Sequence, residues 1–109
     1  DASAACHMPD VLEMPYLPPL LGTDEKEESG ITVRLGGPTC LSGDVIGDYK
    51  FRQFPEYGDI LMFGDMAIYT TCKNNTFNGI PLPAIAVMKD KEVRVIKEFG
   101  YEDFKWRLS

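Results

Sequence analysis

The 109 residues, 44% hydrophobic and 26% charged, have the make-up of one ordinary soluble globular domain with a single modest core. A formal net charge of -6 argues against a nucleic-acid surface, which needs clustered Lys and Arg to displace counterions, and suits small cationic ligands better. Three cysteines without a Cys-x-x-Cys pair, together with one histidine, give no metal-binding pattern; with no signal peptide and no bilayer-length apolar run, the expected compartment is the cytoplasm and no membrane partner is expected.

Ten glycines and eight prolines cut the chain into pieces too short for long helices, and the pieces are rich in β-branched and aromatic residues. The opening residues 1–6 read as the middle of a strand, which makes the chain a piece of something longer. Four prolines in residues 8–19 remove backbone donors and predict an extended connection with at most one short helical turn. Residues 23–29 are almost wholly polar and read as a mobile surface loop. Strands are expected at 31–35, where apolar and polar residues alternate, and at 44–51, and short doubly buried strands at 59–63 and 84–88. Residues 88–93 read as a hairpin turn into a strand at 93–99. Only the tail has helical spacing, with Tyr101, Phe104 and Leu108 on one face. The pattern predicts a mainly β fold, a small β-barrel or sandwich with short helical segments.

Residues 36–44 form the most distinctive stretch, a loop stiffened by Pro38 and loosened by glycines that carries Cys40 and Asp44 close together. By itself, a cysteine there reads first as a small apolar turn filler, with an acid, a nucleophile or a metal ligand as the functional alternatives. Phe77, central in the polar run 74–79, either packs inward or touches a ligand. Tyr69 reads as a half-buried tyrosine or as a hydroxyl offered to a phosphate. His7 reads as a structural side chain rather than a general base. Glu13, in an apolar setting, is either a solvated turn residue or a carboxylate that binds an amine.

In combination, the stretches 7–16, 37–44, 64–70, 76–79 and 99–104 resemble the C-terminal β-domain of the carboxynorspermidine and carboxyspermidine decarboxylases. These belong with the ornithine and diaminopimelate decarboxylases among the alanine-racemase-like enzymes. The resemblance implies that 1–109 is the β-domain of a two-domain subunit whose α/β barrel holds pyridoxal 5'-phosphate on a lysine outside these residues. It implies that this part alone is inactive, and that the intact protein is a homodimer in which the Gly37-Pro38-Thr39-Cys40 loop enters the partner's site.

Position by position, the resemblance makes Cys40 the residue that returns a proton to the substrate α-carbon after carbon dioxide leaves, a task for a neutral thiol. It makes Glu13 and Asp44 carboxylates that face the amines of a polyamine-like substrate, Tyr69 a donor to the cofactor phosphate, and Phe77 part of the substrate cleft. After the cysteine, ornithine decarboxylases carry Asp and diaminopimelate decarboxylases Glu, whereas this chain has Leu41, which cannot pair with a distal ammonium. That moves the expected substrate towards a longer molecule read by other groups. The alternative is a non-catalytic homologue, a β-module serving dimerisation or regulation.

Overall fold

The computed structural model describes residues 1–14, 16–23 and 29–109. Helices α1 (Ala4–His7) and α2 (Asp10–Glu13) come first, followed by strands β1 (Ile31–Gly36) and β2 (Val45–Phe51), helix α3 (Ala67–Cys72), strands β3 (Ile85–Lys89) and β4 (Glu92–Lys97), and helix α4 (Tyr101–Leu108). Most of the polar run expected as a surface loop lies outside the described residues.

Strands β1 and β2 pair antiparallel, with Ile31 opposite Phe51 and Val33 opposite Tyr49. One face is turned inward, so Tyr49 and Phe51 sit on it by the period of two. Ile46 has the wrong parity for that face. The register shift between Leu35 and Gly36, where Gly36 pairs with Val45, lets Ile46 turn inward beside Tyr49. On the outer face Arg34 stands opposite Asp48 and donates to both its carboxylate oxygens, at 2.7 and 2.9 Å.

The core gathers Ala4, Met8, Leu20, Ile46 and Tyr49, with Val11, Leu35, Phe51, Phe63 and Met66 packed around them. Tyr49 meets the edge of Phe63 with ring centroids 5.8 Å apart, and its hydroxyl donates to the buried Pro18 carbonyl at 2.7 Å.

Strands β3 and β4 form a second, separate antiparallel pair. Lys89 pairs with Glu92 across the two residues Asp90 and Lys91, both with positive φ (51° and 66°), the backbone that a tight two-residue hairpin requires. Among the described residues the sheets are two open two-stranded pairs, so the mainly β expectation with short helical segments stands, and no closed barrel is formed by these strands.

Three further expectations are corrected. The opening residues do not form a strand: Ser3 accepts the Cys6 N–H at 3.1 Å and caps α1. Residues 59–63 form no strand, because the chain turns just before them, with the Asp59 N–H on the Glu56 carbonyl at 3.1 Å and Gly58 at φ 98°, and only Phe63 bridges, to Leu20. Strand β3 is exposed along its length rather than buried on both faces. The expectation that only the tail is helical also misses α1 and α3, while the single turn of α2 among the prolines and the tail helix stand as read. No described helix is long and apolar enough to cross a membrane.

Candidate functional site

The loop between β1 and β2 is fastened from inside by Asp44. This carboxylate, 4% exposed, accepts the Thr39 hydroxyl at 2.6 Å, the Thr39 N–H at 3.2 Å, the Ser3 hydroxyl at 2.9 Å and the Ala5 N–H at 3.1 Å. Backbone bonds close the loop as well, from the Gly37 N–H to the Asp44 carbonyl at 2.7 Å and from the Asp44 N–H to the Leu41 carbonyl at 2.9 Å. Burial pushes the Asp44 carboxyl up, but the donors outweigh it, the Thr39 hydroxyl first, then the Ala5 N–H, and hold it below the ordinary carboxylate range.

The expectation that Asp44 faces a substrate amine is therefore revised. Its oxygens are committed to the loop and to α1, and an ammonium would have to displace bonds to a buried, charged acceptor. What the fastening leaves outside is Cys40, exposed as a free thiol, and beside it Leu41, 42% exposed.

The turn Phe77–Gly79 lies against this loop. The Cys40 N–H donates to Asn78 Oδ1 at 2.8 Å, so Phe77, half-exposed, stands one residue from a direct contact with the cysteine's backbone. The turn is itself tied to α1: the Phe77 N–H donates to Asn75 Oδ1 at 3.0 Å, and Asn75 donates through its side chain to the Ala5 carbonyl at 2.8 Å. Cys6, buried, directs its thiol at the Phe77 carbonyl at 3.4 Å.

Tyr69 and Glu13 form a second group, joined by a residue the sequence reading did not single out. Lys73 caps α3 with its N–H on the Tyr69 carbonyl, and its ammonium lies 2.9 Å from Asp10 Oδ1, 3.2 Å from Glu13 Oε2 and 4.8 Å from the centre of the Tyr69 ring. Hydrogen bonds to Asp10 and then Glu13 push the Lys73 ammonium above its usual range. Tyr69 is 51% exposed, and among the described residues its hydroxyl makes no hydrogen bond.

His7 is structural, as read. Its Nδ1 accepts the Ser3 N–H at 3.2 Å and its Nε2 meets the Pro81 carbonyl at 3.0 Å, a pattern served by the neutral ring protonated on Nε2. The residues missed from sequence are Ser3, Thr39, Asn75, Asn78 and Lys73. Only Asn78 carried a usable signal, since an Asn-Gly pair tolerates the left-handed backbone of a tight turn.

Comparison with known proteins matches residues 1–67 to the family described as pyridoxal-dependent decarboxylase, C-terminal sheet domain. A carboxyaminopropylagmatine decarboxylase from Synechocystis sp. is 46% identical over 100% of this chain and 28% of its own length. A carboxynorspermidine/carboxyspermidine decarboxylase from Campylobacter jejuni is 40% identical over 98% of this chain and 31% of its own. The crystal structure of carboxynorspermidine decarboxylase complexed with norspermidine, from Campylobacter jejuni, superposes with a TM-score of 0.87 at 38% identity, covering 97% of this chain and 32% of that one. The chain thus spans less than a third of the length of each of these relatives.

Proposed function

The chain belongs to the pyridoxal-dependent decarboxylase family, as its C-terminal sheet domain, and on that premise we propose that the whole protein decarboxylates a carboxylated polyamine-like amino acid. Residues 1–109 act as the β-domain of a larger subunit. The substrate class is that of carboxynorspermidine and carboxyspermidine, with carboxyaminopropylagmatine beside them on the strength of the Synechocystis relative. The setting is polyamine biosynthesis in the cytoplasm.

The observation that carries this reading is the exposed Cys40 thiol on a loop fastened from within, with Phe77 on the adjoining turn. A buried, hydrogen-bonded base under a loop is a large investment for a mere turn filler. Leu41, exposed beside the thiol, offers no carboxylate to a short substrate's distal ammonium, which disfavours ornithine and diaminopimelate.

Pyridoxal phosphate, when bound in the whole protein, supplies the electron sink that makes loss of carbon dioxide feasible. The residues here fit a minor share in holding it: the hydroxyl of the half-exposed Tyr69, without a hydrogen-bond partner among the described residues, is a donor of the kind a phosphate oxygen accepts. Cys40 gives its proton to the α-carbon as the C–H bond replaces the bond to the departed carboxylate, and the sulfur keeps the electron pair. Phe77 lines the cleft. Glu13, unlike Asp44, is exposed and meets Lys73 through Oε2, which leaves its carboxylate open to a cationic nitrogen of the substrate. Asp44 holds the loop that carries the thiol. The subunits pair as a homodimer in which this loop serves the partner's site.

The test is to supply the full-length protein with carboxynorspermidine, carboxyspermidine, carboxyaminopropylagmatine, diaminopimelate and ornithine, and to measure carbon dioxide release and amine formation. The proposal expects turnover of the first three kinds and little of the last two. It also expects Cys40→Ala to lower the amine formed per carbon dioxide released, because protonation is misdirected. Wild-type stoichiometry in Cys40→Ala removes Cys40 from the reaction.

A further inference from the structure

We infer that Asn78 is a positioning residue for Cys40, holding in place the backbone from which its thiol projects. The inference rests on the reading of Cys40 as the proton donor. Its basis is the 2.8 Å bond from the Cys40 N–H to Asn78 Oδ1, made across 38 positions of sequence.

Asn78 has φ 58° and ψ 15°, and Gly79 follows at φ 75°. A non-glycine residue adopts this left-handed conformation at a cost, and Asn bears it more readily than most. The conformation directs the carboxamide at the cysteine loop instead of back along its own turn. Gly in place of Asn would relieve the backbone, and what Asn supplies at this position in return is the side-chain acceptor.

The two ends of the hold are joined. Asp44 fastens the far end of the cysteine loop to α1 through Ser3 and Ala5, and α1 carries Asn75, which fixes the Asn78 turn. The circuit runs from Asp44 to α1, to the turn, to Cys40, and back along the loop. Cys40 is therefore gripped on the backbone from one side while its thiol stays exposed. The bond fixes the peptide plane that enters Cys40 and with it the position of its Cα, the point from which the side chain carries the sulfur. A donor displaced by about 1 Å loses most of its advantage in proton transfer.

The experiment compares Asn78→Gly and Asn78→Asp in the full-length protein. Gly keeps the left-handed turn and deletes the acceptor, whereas Asp tolerates the turn and keeps a carboxyl oxygen for the N–H. Hydrogen exchange read by mass spectrometry on peptides covering residues 37–44 should show the Cys40 amide exchanging about tenfold faster in Asn78→Gly and near the wild-type rate in Asn78→Asp. In parallel, Asn78→Gly should lower kcat with little change in KM and reduce the amine formed per carbon dioxide released, and Asn78→Asp should recover both. Unchanged exchange in the Gly variant, or Gly and Asp variants that behave alike, overturns the inference. If Asn78→Gly speeds exchange but Cys40→Ala leaves the product stoichiometry intact, the proton-donor reading falls and takes the catalytic meaning of the hold with it. If Cys40→Ala alters stoichiometry while Asn78→Gly exchanges like wild type, only the hold falls.

Discussion

The Ser3 hydroxyl donates to Asp44 Oδ2 at 2.9 Å, joining the cap of the first helix to the base of the cysteine loop across 41 positions of sequence. With the Ala5 N–H on the other carboxylate oxygen, this makes Asp44 the hinge pin between two segments that share no strand. Removing the carboxylate by Asp44→Ala strands two hydroxyls and two backbone donors in a buried to partly buried site. Donors left without a charged acceptor should cost about 2–4 kcal/mol in this domain. Calorimetry of the full-length protein should show the transition containing this domain shifted to lower temperature, and an unshifted transition would mean that solvent replaces Asp44 without loss.

The same carboxylate sets a pH dependence. Its folded-state pKa lies below the ordinary value, so the folded chain binds fewer protons there than the unfolded chain does. The stabilisation is fully present above the unfolded value of about 3.9 and is lost as pH falls through the folded value. Asp48, held below the ordinary range chiefly by its hydrogen bond from Arg34, titrates in the same direction. The difference between wild type and Asp44→Asn therefore isolates the share of Asp44. Thermal midpoints followed from pH 6 into the acid range should fall more steeply below about pH 4 for wild type than for the variant. Parallel curves would show that Asp44 carries no such linkage.

Close approach over the same carboxylate explains Gly37. A Cβ at this position would run into the Asp44 carboxylate, which cannot retreat without breaking its bonds to Thr39, Ser3 and Ala5. Gly37→Ala should therefore destabilise the domain by about 1–3 kcal/mol through overpacking. By contrast, Gly43→Ala, with nothing within reach of the added methyl, should be close to neutral. Melting temperatures of the two variants decide the point, and equal shifts would refute the steric account.

What was legible in the sequence divides along physical lines. The alternation of Ile31, Val33 and Leu35 and the turn around Asp90 and Lys91 report local geometry, and both hairpins stand close to where the pattern puts them. Helix α1 was not legible, because four residues show no periodicity and this turn is held by Ser3, Asp44 and Asn75 from outside it. Helix α3 is largely exposed and lacks the apolar stripe that would announce it. At the site, the cysteine loop and the Phe77 turn were visible as motifs. Their connection through Asn78 was not, nor was the inward turn of Asp44, since which way a carboxylate faces is decided by donors distant in sequence. Lys73 escaped for the same reason: its partners Asp10 and Glu13 lie 63 and 60 positions away.

Tyr69 offers the cleanest separation of cofactor binding from catalysis. It stands on α3 half-exposed, with its ring under the Lys73 ammonium, so Tyr69→Phe deletes one donor while leaving the ring, the cation contact and the helix in place. If that hydroxyl donates to the phosphate of pyridoxal phosphate, the variant loses one charge-assisted hydrogen bond, about 1–3 kcal/mol, or about 5- to 150-fold in the cofactor dissociation constant. Turnover at saturating cofactor should change little, because the phosphate is remote from the bond that breaks. Equilibrium titration of the apo full-length protein with pyridoxal phosphate measures the constant directly. A wild-type dissociation constant in Tyr69→Phe would release Tyr69 from the cofactor and leave it as the ring on which Lys73 rests.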